Sequence, residues 1–226
     1  MDLYLKNLIS QGESRHLEFK FEINDSRKIA RTLSAFSNME GGILLLGVKD
    51  NGKIAGVRSD EEFYMVEAAA NLYCRPRVRF STMEIKSEGK TVLIIEVPEV
   101  KLKPVLAEER KGIWTACVRV HDENIAADPV RLKVWKNMRT GHPVQIKYGE
   151  KERILFRHFE KHNAISLHEF CSISHLPSEP AENILAGLVL LNVLTIDSKS
   201  DRTLFVINSS FDAKSLNMGK IIGKLP

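Results

Sequence analysis

Two neighbouring segments carry the clearest strand patterns of the chain: Leu17-Glu-Phe-Lys-Phe-Glu-Ile23 and Gly41-Gly-Ile-Leu-Leu-Leu-Gly-Val48. The first alternates apolar and charged side chains, which is typical of a half-buried strand with its glutamates and lysine on a solvent face. The second is apolar from residue 43 to residue 48 and too short for a helix, so we expect a central strand. The turn sequence Asp50-Asn-Gly52 then predicts a hairpin with residues 53–57.

A helix is predicted between these two strands, and further elements of both kinds follow them. Capping oxygens at residues 24–26 precede apolar side chains at helical spacing, and the glycines at 41 and 42 end the pattern. Elsewhere the patterns predict a helix at 60–73, strands at 78–85, 91–97 and 112–120, and a helix opened by Pro129. Helices and strands thus follow one another in a mixed order along this part of the chain.

A domain boundary is predicted at Thr140-Gly-His-Pro143, because one helical pattern ends there and a new apolar periodicity begins after Tyr148. We therefore expect a first domain over residues 1–143, a second over 146–210 and a C-terminal tail over 211–226. In the second domain the patterns predict three helices followed by short strands at 193–196 and 204–207. This is the element order of a winged-helix domain, in which a hairpin extends a helix-turn-helix.

The composition of the 226 residues limits the classes of protein that the chain can belong to. It has 33 Lys and Arg against 29 Asp and Glu, and the net charge of +4 permits a polyanionic partner without requiring one. The 3 cysteines are widely spaced and form no disulfide framework, which favours a reducing compartment. We find no signal peptide and no apolar run of membrane-spanning length, so we expect a cytoplasmic protein with no membrane partner.

An ordered set of short motifs in the N-terminal part of the chain resembles a known family. The motifs are Glu13-Ser14, Leu17-Glu-Phe-Lys20, Ala35-Phe-Ser-Asn38, Gly41-Gly-Ile-Leu-Leu-Leu-Gly-Val-Lys-Asp-Asn-Gly52 and Gly56-Val57. Together they resemble the Schlafen-type AlbA-like domain, and the resemblance extends over about residues 10–135 through Lys103-Pro104 and the segment Arg119–Ala126. It implies an α+β fold with a mixed α/β sheet domain, often followed by a small winged helix, in proteins described as DNA-binding or as transcription regulators. The predicted order of helices and strands agrees with this fold class.

The resemblance also implies an alternative function, that of a divalent-metal-dependent endoribonuclease. Schlafen nucleases of eukaryotes hold a metal through carboxylates, and the matching positions here are Glu13, Glu18 and Asp50. The cofactor would be Mg²⁺ or Mn²⁺, since both prefer hard oxygen ligands and can activate water, and Lys20 would face the phosphate. The competing interpretation is structural, with Glu18 and Lys20 as a solvated ion pair, Glu13 in a lead-in segment and Asp50 as a turn residue.

A basic stripe is predicted at residues 74–80, where Arg75, Arg77 and Arg79 occupy alternate positions. In an extended chain their guanidiniums project from one face, and guanidiniums suit phosphate oxygens. Such a stripe would hold a nucleic-acid backbone without reading its sequence. The alternative is that these arginines pair with nearby carboxylates, namely Glu61, Glu62 or Glu84.

Further basic residues extend this predicted nucleic-acid surface. Four belong to a loop around Pro104 and one to the strand segment that the resemblance includes: Lys101, Lys103, Arg110, Lys111 and Arg119. The loop also contains Glu108 and Glu109. The predicted function is binding of DNA or RNA through its phosphate backbone, in a regulatory or architectural role. An ATPase is not indicated, because a strand pattern follows Gly89-Lys-Thr91 where a phosphate-binding loop needs a helix.

The predicted third helix of the second domain, Pro177–Leu191, lacks the basic residues of a DNA-reading helix. It contains Glu179 and Glu182, no Lys or Arg, and many apolar side chains. Acidic groups oppose phosphate binding, and surplus apolar surface favours a protein partner. We therefore expect this domain to support docking or a homodimer, and a protein-interaction adaptor is the second alternative function.

Overall fold

The computed structural model describes residues 2–141, 143–197, 202–211 and 220–223. The chain divides into two compact units, Met1–Ala127 and Asp128–Pro226. The first unit contains α1 (Asp2–Gln11), β1 (Leu17–Lys20), α2 (Ser26–Asn38), β2 (Gly42–Leu46), α3 (Glu61–Leu72), β3 (Cys74–Arg75), β4 (Ser81–Ser87), β5 (Lys90–Val97), β6 (Leu106–Arg110), β7 (Ile113–Val120) and β8 (Glu123–Ala126). This mixture of helices and sheets confirms the α+β class.

Two four-stranded sheets form the framework of the first unit. The first has the strand order β1-β2-β5-β4, in which β1 and β2 are parallel and the other neighbours are antiparallel. The second has the order β3-β6-β7-β8 and is antiparallel throughout. Helix α2 lies against β6 and β7, and its residues Leu33 and Phe36 share a hydrophobic core with Leu44 and Leu46 of β2. This helix therefore joins the two sheets.

Strand β2 is covered on both faces, which explains its continuous apolar sequence. Leu44 and Leu46 belong to the core that includes α2, whereas Leu45 lies in a second cluster with Leu5 and Leu8 of α1. Helix α1 was not predicted from the sequence. Its 10 residues bury only these two leucines, so they give a weak periodic signal.

The hairpin predicted after β2 is present as a short antiparallel pairing of residues 47–49 with residues 53–56. Val48 and Ile54 form an isolated bridge, the N–H of Lys49 donates to the carbonyl oxygen of Lys53 at 3.0 Å, and the N–H of Ala55 donates to the carbonyl oxygen of Gly47 at 2.8 Å. This pairing does not continue along β2, because β2 uses both its edges to pair with β1 and β5. The chain leaves β2 at Gly47, where φ is +92° and a Cβ would lie 2.8 Å from the carbonyl carbon of Gly56. Two glycines of the family motifs thus allow two backbone segments to touch.

The second unit alternates helices with short strands. It contains α4 (Pro129–Thr140), β9 (Val144–Lys147), α5 (Glu150–Phe159), β10 (Ala164–Ile165), α6 (Leu167–Ser174), α7 (Ser178–Leu190), β11 (Leu194–Asp197), β12 (Leu204–Ile207) and β13 (Lys220–Gly223). The strands form a three-stranded sheet, β10-β12-β11, and a two-stranded sheet, β13-β9. Part of the predicted tail, 211–226, therefore forms a strand, while residues 212–219 and 224–226 lie outside the described residues.

The boundary between the units lies earlier than the sequence pattern places it. Val130 and Val134 of α4 belong to the same hydrophobic core as Leu188 of α7. Helix α4 is therefore the first element of the second unit, which begins at Asp128, rather than the last element of a domain that ends at residue 143.

The apolar side chains of α7 are used within the second unit itself. Leu185, Ala186, Leu188 and Leu190 are buried in its core. The expected apolar surplus of this helix is thus internal packing, which removes the reason for treating it as a docking surface. Among the residues that the structure describes, no helix has the length and apolar character needed to cross a bilayer.

Candidate nucleic-acid interface

The arginines of the predicted basic stripe are exposed, but they do not lie on one regular strand. Strand β3 ends at Arg75, and Pro76 follows it without an N–H for a neighbouring strand. The chain then leaves the sheet with Val78 buried in the core between exposed Arg77 and exposed Arg79. We call Arg75, Arg77 and Arg79 the arginine surface.

The described part of the chain provides no ion pair for the arginine surface. The ion pairs of the first unit use other cations, among them Arg27, Arg31 and Arg58. Glu62, one of the three carboxylates that could have paired with the stripe, instead accepts hydrogen bonds from the backbone N–H groups of Arg58 and Ser59. The guanidiniums of the arginine surface are therefore available to a ligand.

Arg75 is held in place by an aromatic ring. Its guanidinium carbon lies 3.9 Å from the centre of the Trp114 ring. Trp114 belongs to β7, which lies in the same sheet as β3 with β6 between them. A guanidinium that stacks on an aromatic ring keeps its N–H groups in its own plane, where they point outward and stay free to bind a ligand. The ring thus positions Arg75 without using its hydrogen-bond donors.

Arg77 and Arg79 line a shallow groove of about 410 Å³ beside α3, which we call the α3 groove. The other principal lining side chains come from α3, from the residue just before β4 and from β4 itself: Phe63, Glu67, Asn71, Phe80 and Thr82. Two guanidiniums therefore share one groove with two aromatic rings. The sequence analysis did not predict this arrangement, because the two phenylalanines lie on different elements and show no common spacing.

The predicted loop cations differ in their surroundings. Lys103 forms an ion pair with Glu99, in which Lys103 Nζ lies 2.7 Å from Glu99 Oε1. Lys101, Arg110 and Lys111 are exposed and have no ion pair among the described residues. These three can extend a positive surface, whereas Lys103 is already neutralised.

Arginines of α2 form ion pairs with the two glutamates of the same loop region. Arg27 Nε lies 3.4 Å from Glu108 Oε2, and Arg31 Nη1 lies 3.5 Å from Glu109 Oε1. Glu108 also accepts a hydrogen bond from the N–H of Gly112 at 2.7 Å. These carboxylates therefore do not cancel the charge of the exposed loop cations.

Arg119 is fully buried, in contrast to its predicted place on the nucleic-acid surface. Its Nη1 donates to Glu18 Oε2 at 2.5 Å and to Asn124 Oδ1 at 3.1 Å, and its Nη2 donates to the carbonyl oxygen of Ser14 at 2.7 Å. The guanidinium also lies 5.2 Å from the centre of the Phe36 ring. A phosphate group cannot reach this side chain, so its role is to hold the framework together.

Glu18 is also buried, with only 4% of its surface exposed, although the strand pattern placed it on a solvent face. Arg119 contacts its Oε2, and Lys20 Nζ lies 2.8 Å from its Oε1. The hydroxyl of Thr32 donates to the same Oε1 at 3.3 Å. A cation thus contacts each carboxylate oxygen, and burial of the charge is compensated by pairing.

The two other predicted metal ligands have separate environments. Glu13 Oε1 accepts a hydrogen bond from the N–H of Phe19 at 2.9 Å, and Asp50 is exposed in the turn after β2. Among the described residues, no group of three or more His, Cys, Asp and Glu side chains could hold a metal ion. Because cations already occupy both oxygens of Glu18, these residues do not fit a metal centre. The nuclease interpretation stays a prediction that the geometry does not support.

The motif Ala35-Phe-Ser-Asn38 has a structural role that the sequence analysis missed. Asn38 Nδ2 donates to the carbonyl oxygens of Val105 and Cys117 at 2.8 and 2.9 Å, and Asn38 Oδ1 accepts from the N–H of Val105 at 2.7 Å. This one buried side chain ties α2 to β7 and to the segment before β6. A polar residue at the end of an otherwise apolar helix face is the signal that could have indicated it.

The buried thiols show no sign of a nucleophile. Burial raises the pKa of Cys74 to about 12, and it also raises the pKa of Cys117. A thiol must ionise to act as a nucleophile. Both cysteines are therefore part of the core packing.

Two solved structures are similar to this chain at low sequence identity. The DIP2311 protein from Corynebacterium diphtheriae has 15% identity and a TM-score of 0.47, and the match covers 90% of this chain and 38% of that one. The N-terminal domain of a RecG-related protein from Nitrosomonas europaea has 18% identity and a TM-score of 0.39, covering 55% of this chain and 92% of that domain. The chain thus spans well under half the length of the C. diphtheriae protein. No curated protein matches the chain.

A family model covers nearly the whole first unit. The model described as Schlafen, AlbA_2 matches residues 13–128, which is just over half of the 226 residues. The match begins at Glu13 and ends at Asp128, the N-cap of α4, so its end coincides with the boundary between the two units. It confirms the resemblance that the sequence motifs indicated for this part of the chain. The chain belongs to the Schlafen AlbA_2 family.

Proposed function

We propose that this protein binds nucleic acid through the arginine surface of its first unit. The observation that carries the proposal is the exposure of Arg75, Arg77 and Arg79 without an ion pair among the described residues. Membership of the Schlafen AlbA_2 family supports a nucleic-acid-related function.

The chemistry of the arginine surface suits phosphate groups. An exposed guanidinium can donate two parallel hydrogen bonds to two phosphate oxygens. Such contacts fix a protein on the sugar-phosphate backbone and carry no sequence information. Lys101, Arg110 and Lys111 add positive charge that attracts a polyanion over a longer range. The function that fits this surface is backbone binding without base-specific reading.

For the second unit we propose a winged-helix fold with a supporting role. The order α5, β10, α6, α7, β11, β12 supports this proposal, and so does the antiparallel pairing of β11 with β12, which would form the wing. Helix α7 would occupy the position of a recognition helix, yet it carries Glu179 and Glu182 and buries its apolar side chains. The proposed role of the whole chain is therefore regulatory or architectural, with nucleic-acid contacts made mainly by the first unit.

The test is the affinity of the purified chain for a fluorescently labelled oligonucleotide, measured by anisotropy. We compare the natural sequence with Arg75→Gln/Arg77→Gln/Arg79→Gln. Hydrogen bonds to charged groups contribute roughly 1.5–3 kcal/mol each, so we expect the affinity of the triple variant to fall by at least about tenfold.

The matched control removes the same number of positive charges elsewhere in the first unit. Three exposed lysines without an ion pair among the described residues are replaced: Lys49→Gln/Lys53→Gln/Lys86→Gln. This control is expected to bind nearly as well as the natural sequence. Equal affinity of all three proteins would contradict the proposal, and so would an equal loss in both variants.

A further inference from the structure

The α3 groove combines two kinds of side chain that a strand of nucleic acid needs. Arg77 and Arg79 can hold phosphates, and the rings of Phe63 and Phe80 line the same space of about 410 Å³. We infer that this groove accepts an unpaired base, so that the protein prefers single-stranded nucleic acid over a duplex. This inference rests on the proposed function, because it names the form of nucleic acid that the arginine surface holds.

The two rings are fixed in the groove by the core behind them. Phe63 and Phe80 are partly buried and pack against the hydrophobic core that α2 and α3 share with both sheets. Phe63 also meets the Tyr64 ring edge to face, with ring centres 5.9 Å apart. Rings that are already ordered lose little conformational entropy when a flat ligand lies against them. They therefore form a preorganised platform for a base.

Single strands and duplexes present different groups to such a groove. In a duplex the bases are stacked on one another, and the phosphates form the outer surface that a protein side chain meets first. In a single strand a base can turn outward and stack on an aromatic side chain. Arginines alone would hold both forms, so the phenylalanines are the residues that distinguish them.

The polar side chains of the groove agree with this assignment. Asn71 has an amide that can pair with the edge of a base, and Thr82 has a hydroxyl that can donate or accept. Glu67 is the acidic residue among those lining the groove, and its carboxylate repels phosphate from the α3 side. Phosphates are therefore directed toward Arg77 and Arg79, while the base faces α3.

The experiment compares two ligands of the same sequence, a labelled single strand of roughly 12 nucleotides and the duplex formed with its complement. The first variant is Phe63→Leu/Phe80→Leu, which keeps apolar packing and removes both rings. Loss of stacking on an aromatic side chain is expected to lower the single-strand affinity by roughly tenfold and to leave the duplex affinity within about twofold. A matched control is Phe21→Leu, since Phe21 is another half-buried phenylalanine of the same unit.

Two further variants separate the loss of stacking from a packing defect and the single-strand preference from the proposed function. Phe63→Tyr/Phe80→Tyr retains both rings and is expected to bind the single strand as the natural sequence does, which separates stacking from a general packing defect. Arg77→Gln/Arg79→Gln is expected to weaken binding of both ligands. An unchanged affinity of this arginine variant for both ligands would overturn the proposed function itself. The other outcome is that Arg77→Gln/Arg79→Gln weakens binding of both ligands as expected, while Phe63→Leu/Phe80→Leu changes the affinity for both ligands equally or for neither. That outcome would overturn only the preference for single strands.

Discussion

Arg119 of β7 and Glu18 of β1 form a buried ion pair of 2.5 Å between residues that are 101 positions apart in the chain. The two strands belong to different sheets, so the pair links the two sheets of the first unit. Arg119 also reaches the carbonyl oxygen of Ser14 and thereby fixes the segment that precedes β1. Both side chains belong to the stretch that resembles Schlafen-type domains, and here their role is to assemble the unit.

Removing Glu18 is therefore expected to destabilise the protein rather than to delete a catalytic group. Glu18→Ala leaves Arg119 and its positive charge buried without a carboxylate, which costs about 3–5 kcal/mol. The measurement is the free energy of unfolding in urea. The control is Glu22→Ala, because Glu22 pairs with the exposed Arg58 and its loss should cost less than about 1 kcal/mol. A similar small effect at both positions would contradict this view of Glu18.

Asn38 is expected to be another large contributor to stability. Asn38→Ala removes the hydrogen-bond partner of the Val105 N–H and of the Cys117 carbonyl oxygen. Each buried backbone group left unpaired costs about 1–3 kcal/mol, so the expected loss in unfolding free energy is roughly 3 kcal/mol. The matched control is Asn51→Ala in the exposed turn after β2, where Asn51 Oδ1 accepts one exposed hydrogen bond from the N–H of Lys53. Equal losses at the two asparagines would show that the interior contacts of Asn38 are not the cause.

Trp114 is expected to act on binding through Arg75. Trp114→Leu keeps an apolar residue on β7 and removes the ring on which the guanidinium lies. Cation–π contacts at exposed sites contribute about 0.5–1 kcal/mol, so the affinity for an oligonucleotide should fall by roughly threefold. In an Arg75→Gln background the same change at Trp114 should have no further effect. An undiminished effect in that background would mean that Trp114 contacts the ligand directly.

The reactivity of the thiols should follow their burial. Cys74 and Cys117 are buried, whereas Cys171 is partly exposed. Because burial raises the pKa of Cys74 to about 12, its reactive thiolate is scarce at neutral pH, and reagents also have no access to it. Iodoacetamide followed by mass spectrometry should label Cys171 first in the folded chain and all three cysteines in urea. Early labelling of Cys74 in the folded protein would show that this part of the core opens.

The sequence predicted those elements whose signal is local. The apolar run at 43–48 became β2, and the strand at 204–207 is β12 with the predicted bounds. Elements with few buried residues, such as α1, escaped prediction. The burial of Glu18 was not predicted either. The alternation along β1 carries no information about Arg119, the buried cation on β7 that pairs with Glu18.

The sequence predicted which arginines form the candidate surface, but it did not predict which aromatic side chains lie beside them. Alternate arginines at 75, 77 and 79 indicated a basic surface, and all three are exposed. Their pattern could not show that Trp114 supports the first one or that Phe63 and Phe80 share a groove with the other two. Such contacts depend on how α3 and β7 pack. Tertiary packing brings together residues that are far apart in the chain, and a local sequence pattern does not show which ones.

Binding to the nucleic-acid backbone through the arginine surface is best measured by its dependence on salt concentration. Each phosphate contact releases counterions, and the slope of log K against log salt concentration changes by about 0.9 per contact for duplex DNA and about 0.7 for a single strand. For Arg75→Gln/Arg77→Gln/Arg79→Gln, we expect a slope that is shallower by roughly two to three such contacts, with weaker binding at every salt concentration. A slope and an affinity identical to those of the natural sequence would rule out backbone binding by the arginine surface, because they would place the phosphate contacts elsewhere.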